Sequence, residues 1–255
     1  MSTLLLLGRV LFASAIVGLG LQALLTGDVV PGLEPLSSTA PGLAVWANAS
    51  GVVLVGAGAV ILVDRVARFG ALATAALLFL WVVILHLPLL LADPTNGSEW
   101  TTALEALAMG GAAWALAGML SPQIPGVRPG RFCYGFSLPG FGILHFVYAA
   151  YVSAAIPAWI PGHAFWAYTT GVALIAAGLS ILTGVLARPG ATLLAIMFGS
   201  WVLILHAPRV VAKVRDTNEW ASLLIALAMS GGALIVGATF ARDESPGVAS
   251  RLRRE

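Results

Sequence analysis

One cysteine, Cys133, occurs in 255 residues. An intramolecular disulfide, a CxxCH haem attachment and a Cys-based zinc motif are therefore excluded. Charge is equally scarce: Asp, Glu, Lys and Arg together make up 9% of the chain, against about 25% in a soluble domain. Neither a disordered chain nor an ordinary water-soluble enzyme has this composition. A net charge of +2 is too small to grip a phosphate backbone, so no nucleic-acid partner is expected. The chain carries no P-loop, HExxH, GxSxG or dinucleotide fingerprint. No polar stretch is large enough for a water-exposed domain to hold such a site, so catalysis by the isolated chain is not expected.

What is present is apolar. Hydrophobic residues reach 59% and the mean hydropathy is +0.96. Eight segments approach the roughly 20 helical residues that a hydrocarbon core requires. They lie at about 3–25, 43–63, 70–91, 100–120, 140–156, 163–186, 191–211 and 219–241. The runs are continuous rather than alternating, which argues for helices and against a β-barrel. The expected fold is all-α: a polytopic membrane protein whose eight transmembrane helices form two tandem four-helix bundles.

Loop charges predict the orientation. With the N-terminus in the cytoplasm, Arg65, Arg68, Arg128, Arg131, Arg188, Arg242, Arg251, Arg253 and Arg254 lie inside. Asp28, Glu34, Asp93, Glu99, Asp216 and Glu219 then lie outside. Only Arg209, Lys213 and Arg215 dissent. An even number of spans returns the C-terminus to the cytoplasm, and a plasma (inner) membrane location follows. The N-terminal segment lacks a basic n-region and is interrupted by Arg9, so signal-peptide cleavage is not expected.

The chain repeats itself at an offset of 120 residues without a gap. Trp81-Val82-Val83-Ile84-Leu85-His86-Leu87-Pro88 returns as Trp201-Val202-Leu203-Ile204-Leu205-His206-Ala207-Pro208. Glu99-Trp100 returns as Glu219-Trp220, and Pro41-Gly42 with Trp46 returns as Pro161-Gly162 with Trp166. Apolar stretches alike by chance would not keep His, Pro, Glu and Trp in register. The reading is a first unit over 1–120, a linker over 121–139, a second unit over 140–241 and a basic tail over 242–255. Four helices per unit give both units one orientation, with the pseudo-axis along the membrane normal. The loop 26–42 is longer than its counterpart at 157–162 and looks like an insertion.

Gly8-Arg9 with Gly18 on the first helix, then Gly51 to Gly58 running into Arg65 and Arg68, resemble the DoxX/DoxD-like membrane proteins. Gly171 to Gly178 followed by Arg188 repeats the second element. The family unit is one four-helix bundle; this chain carries two. A loose alignment puts His145 at the place of Arg9. Some relatives are tied to quinone-linked oxidoreductases. The resemblance thus implies an accessory or ligand-binding subunit of a membrane redox or respiratory assembly, with membrane lipid and partner subunits as its contacts. Its ligand would be quinone or another lipid.

The residues themselves nominate sites. An ionisable side chain inside a span is a functional candidate by default. His86 and His206 lie about five residues from a helix end, each two residues before a proline that removes a helix hydrogen bond. Glu99 and Glu219 open helices, where the macrodipole stabilises a carboxylate. Glu105 lies about 9 Å deeper than Glu99 by helical rise, near the expected depth of His86. A His86–Glu105 hydrogen bond or proton relay is the preferred reading, with Ile225 at the duplicate position. A metal site would draw on His86, Glu99, His206 and Glu219, and a haem on His86 and His206. Arg9 and His145 are placed in the inner part of their helices, as snorkelling residues or as anchors for a headgroup or quinone carbonyl. Trp81 and Trp201 are expected to pack between helices. The rival functions are a transporter or channel for a proton, metal ion or small solute, and a structural or assembly protein.

Overall fold

A computed structural model describes residues 2–121 and 126–243, with side chains through 241. Every regular element among the described residues is helical. The helices are α1 (Thr3–Thr26), α2 (Leu43–Leu62), α3 (Ala67–Ala92), α4 (Gly97–Leu120), α5 (Arg128–Val147), α6 (Ala149–Ala155), α7 (His163–Thr183), α8 (Ala187–Ala212) and α9 (Thr217–Asp243). Seven are long and apolar enough to cross a membrane, or eight if α5 and α6, which meet at a 93° bend, are counted as one span. The chain is a multi-pass membrane protein. Large apolar side chains such as Val52, Phe69, Val83, Phe136, Leu193 and Leu203 project outward, as a lipid-facing belt requires.

One boundary differs from expectation. Helix α5 begins at Arg128, about three turns before the predicted start at 140. Residues 128–139 are therefore helix rather than part of the expected linker. Pro129 sits in the first turn of α5, where its missing N–H costs no bond. Pro139 lies inside the helix; its ring packs so closely on Gly178 that a Cβ there would come 2.5 Å from Pro139 Cδ. The long α5 carries His145 almost to its C-terminal end rather than to the inner part expected.

The early start of α5 also brings out an unread part of the duplication. Gly8-Arg9, Gly18 and Gly20 on α1 correspond to Gly130-Arg131, Gly140 and Gly142 on α5, at an offset of 122 rather than 120. Contacts establish the match. A Cβ on Gly20 would meet the Gly51 carbonyl at 2.7 Å, and one on Gly142 would meet the Gly171 carbonyl at 2.6 Å. Arg131, not His145, is the counterpart of Arg9.

The same glycines show how the repeats are joined. Gly8 on α1 faces Gly231 on α9, and Gly130 on α5 faces Gly111 on α4; a Cβ on any of the four would lie 2.4–2.8 Å from the opposing carbonyl oxygen. Small residues let membrane helices approach to backbone contact. The first helix of each repeat thus packs on the fourth helix of the other, in addition to its own second helix. Neighbours run α1, α2, α3, α4, α5, α7, α8, α9 and back to α1, closing a ring. Helices α4 and α9 also touch each other across it and are the most enclosed of the long helices.

At the end of the bundle where α1 finishes, the loop 27–42 folds inward. Val30 and Leu33 are fully enclosed. Glu34 accepts from Trp46 Nε1 at 2.7 Å and from the Val30 amide at 2.9 Å. Burial pushes the Glu34 carboxyl above its ordinary range, against the pull of these hydrogen bonds.

Candidate functional site

Both duplicated histidines stand at the same backbone irregularity. Residues 82–86 and 202–206 form single π-turns within α3 and α8. The amide of Leu87 reaches back to Val82, and that of Ala207 to Val202. Pro88 and Pro208 lack the donor that a regular helix would need there. A wider turn accommodates the loss and re-aims the residue that ends it, and such turns collect at functional sites. In each repeat that residue is the histidine.

The two histidines then part company. His86 is fully enclosed, with Nδ1 2.6 Å from Glu99 Oε1 and Nε2 3.1 Å from the Leu33 carbonyl. Since a carbonyl only accepts, Nε2 donates to Leu33. The expected His86–Glu105 bond does not form. The prediction matched the two by depth alone, but Glu99, in the first turn of α4, reaches His86, and the inserted loop takes its other nitrogen. His86 is closed to a ligand, and a bis-histidine haem using it would have to break both bonds.

His206 has neither partner. Its duplicate carboxylate, Glu219, accepts instead from Lys213 Nζ at 3.3 Å, a lysine at the position that Asp93 holds in the first repeat. The loop 157–162 is too short to supply a counterpart of Leu33. His206 Nδ1 is enclosed with no hydrogen-bond partner among the described residues, and the ring lines a cavity of about 730 Å³. No group of three or more His, Cys, Asp and Glu among the described residues is placed to hold a metal ion; the set His86, Glu99, His206 and Glu219 is split between two environments.

The cavity lies between the repeats, bounded by α4 of the first and by α5, α6, α7, α8 and α9 of the second, with Pro31-Gly32 at its edge. Glu105 lines it, and its carboxyl makes no hydrogen bond or ion pair among the described residues. His145 lines it too; its ring stacks on Trp201 with centroids 6.1 Å apart. His145 Nδ1 donates to the Phe141 carbonyl at 2.8 Å, which leaves Nε2 of the neutral ring as an acceptor. Tyr148 spans the rim, donating from its hydroxyl to the Thr95 carbonyl at 3.1 Å. Ser98, Thr101, Thr102, Asn218 and Ser222 supply further polar groups, while Phe141, Leu174, Phe198 and Met229 supply the apolar wall. No Lys or Arg is among the described residues that line it.

Glu105, His206 and His145 are thus brought to one cavity, an assembly that the sequence did not show. Signals existed for two: Ile225 and Ala23, at the duplicate positions of Glu105 and His145, are apolar, so the polar residues break the repeat. The hydroxyl residues gave no signal, because Ser and Thr also satisfy themselves on their own helix backbone. Arg9 stands elsewhere. It is buried, donates from Nε to the Ile61 carbonyl at 2.6 Å and pairs with Asp64 at 2.5 Å. It ties α1 to the turn after α2 rather than facing a ligand. Arg131 donates to Thr239 Oγ1 at 2.6 Å and lies over the Phe240 ring at 3.9 Å. Trp81 is fully enclosed, as expected.

No family model, no curated protein and no solved structure matches this chain.

Proposed function

We propose that this protein binds a membrane-soluble amphiphile in the cavity between its repeats, and that the N- and C-termini face the cytoplasm. One observation carries the reading. An acid and an imidazole, Glu105 and His206, line a cavity inside a membrane bundle with no protein partner among the described residues. Polar groups withdrawn from water and left unpaired cost free energy. A ligand that hydrogen-bonds to them recovers it, and apolar walls beside them suit a molecule with an apolar body. The absence of Lys and Arg from the wall disfavours an anionic headgroup. The apolar wall of Phe141, Leu174, Phe198 and Met229 favours retention over conduction, so a transporter or channel is the weaker reading. The Gly-Arg opening both repeats supports kinship with DoxX/DoxD-like proteins, and with it an accessory role in a membrane assembly.

The full chain, purified in mild detergent, tests this. Extracted lipids are analysed by mass spectrometry beside those of Glu105→Ala. One amphiphile enriched to near-unit stoichiometry, and depleted several-fold in the variant, is expected. Identical bulk lipid profiles from both proteins would refute the assignment.

A further inference from the structure

The duplication permits a comparison of the chain with itself. In the first repeat, the place beside the π-turn histidine is filled by the protein's own loop: Val30 and Leu33 are fully enclosed, and the Leu33 carbonyl accepts from His86. Leu54, Leu78, Trp81 and Met109, which belong to the same hydrophobic core as Val30 and Leu33, are all fully enclosed. Their duplicates Leu174, Phe198, Trp201 and Met229 line the cavity. The two sites are the same construction, one plugged and one open. The plug consists of an apolar side chain and a backbone carbonyl, an uncharged acyl group in chemical terms.

We propose that the ligand of the second site presents an uncharged acyl carbonyl to His206 Nε2, the nitrogen by which His86 donates to Leu33, and hydroxyl groups to Glu105 and His145. This deepens the amphiphile-binding reading above and rests on it. A carbonyl is the group that an imidazole N–H takes in the plugged site. Glu105 and His145 Nε2 are acceptors left without donors among the described residues, at positions where the other repeat carries Ile225 and Ala23. No Lys or Arg is among the described lining residues, and Arg209, one turn from His206, is engaged with the Ala155 carbonyl at 2.6 Å, so a carboxylate or phosphate headgroup would find no free cation in the described wall. The class that satisfies all three groups is a neutral acylated polyol, its acyl chain against Leu174 and Phe198.

Native mass spectrometry of the delipidated full chain in maltoside detergent tests the proposal with three probes of equal chain length. These are 1-decanoylglycerol, its ether 1-O-decylglycerol, which lacks only the carbonyl, and decanoate. The wild-type protein should bind the ester about tenfold more tightly than the ether, the discrimination expected from one hydrogen bond in an enclosed site. It should bind decanoate most weakly. His206→Ala should lower affinity for the ester to that for the ether. Equal affinity for ester and ether in the wild type overturns the acyl-carbonyl inference while leaving amphiphile binding intact, and this comparison needs no variant. Preference retained in His206→Ala overturns the role of His206. Strongest binding of decanoate overturns the uncharged class, and binding of none of the probes removes both this inference and the proposed function.

Discussion

At the scale of single residues, identical side chains do different work because their partners differ. His86 uses both ring nitrogens and is fully enclosed, so removing it leaves Glu99 and the Leu33 carbonyl unpaired. His86→Ala should cost about 2–4 kcal/mol of stability, the range for breaking a buried, charge-assisted contact. His206→Ala, which severs no protein hydrogen bond among the described residues, should cost less than about half as much. Thermal unfolding in a single detergent reads the difference, and equal losses would contradict it. Glu34 offers a pH test. Its carboxyl is held above the ordinary value of 4.5, so the folded state holds the proton more firmly than the unfolded chain. Its contribution is fully present below the unfolded value and is lost as pH rises through the folded one. The wild type should therefore lose stability relative to Glu34→Gln as pH climbs above 4.5, measured as the difference in Tm between the two proteins. A difference independent of pH would show that Glu34 is not perturbed.

At the scale of elements, glycine sets the helix packing. A Cβ on Gly231 would sit 2.6 Å from the Phe12 amide nitrogen and 2.7 Å from the Gly8 carbonyl oxygen. Both are backbone atoms, so neither can turn aside. Gly231→Ala should force α1 and α9 apart and cost about 1–3 kcal/mol. Gly56→Ala, where a Cβ would meet nothing within 4 Å, should be neutral or stabilising by up to about 1 kcal/mol, since alanine is the better helix former. Unfolding midpoints of the two variants give the comparison. The π-turns belong to this scale as well. The proline after each histidine was legible, and so was the hydrogen bond it forfeits. That the helix would answer with one wider turn, rather than a kink or two free carbonyls, was set by the packing around it.

At the scale of the molecule, the repeats are interlocked rather than adjacent. Since α1 packs on α9 and α5 on α4, neither repeat encloses all its small-residue faces alone. A protease site placed in the linker at 122–125 should, once cut, leave two fragments that elute together in detergent. Separation on size exclusion would contradict the ring. The cavity is a property of this scale too. Its wall takes Glu105 from the first repeat and His145, His206 and Asn218 from the second, so it exists only when both are present.

The sequence by itself determined the membrane class, the helical content, the duplication and most of the spans. These rest on local quantities: hydropathy over one helix length, and identity at a fixed offset. It also nominated the ionisable side chains within the spans, since each is costly wherever it points. It did not determine their partners. His86 was matched by depth to Glu105, yet two carboxylates on α4 were within reach, and helix rotation together with the folded-in loop decided for Glu99. The pairing of Gly8-Arg9 with Gly130-Arg131 was hidden because the offset changes from 120 to 122 between the first and second helices of each unit. Only the tertiary structure decided that one duplicated site is filled by Leu33 while the other stands open. Which backbone group enters which space depends on loop length and on neighbours distant in sequence, and neither leaves a periodic trace.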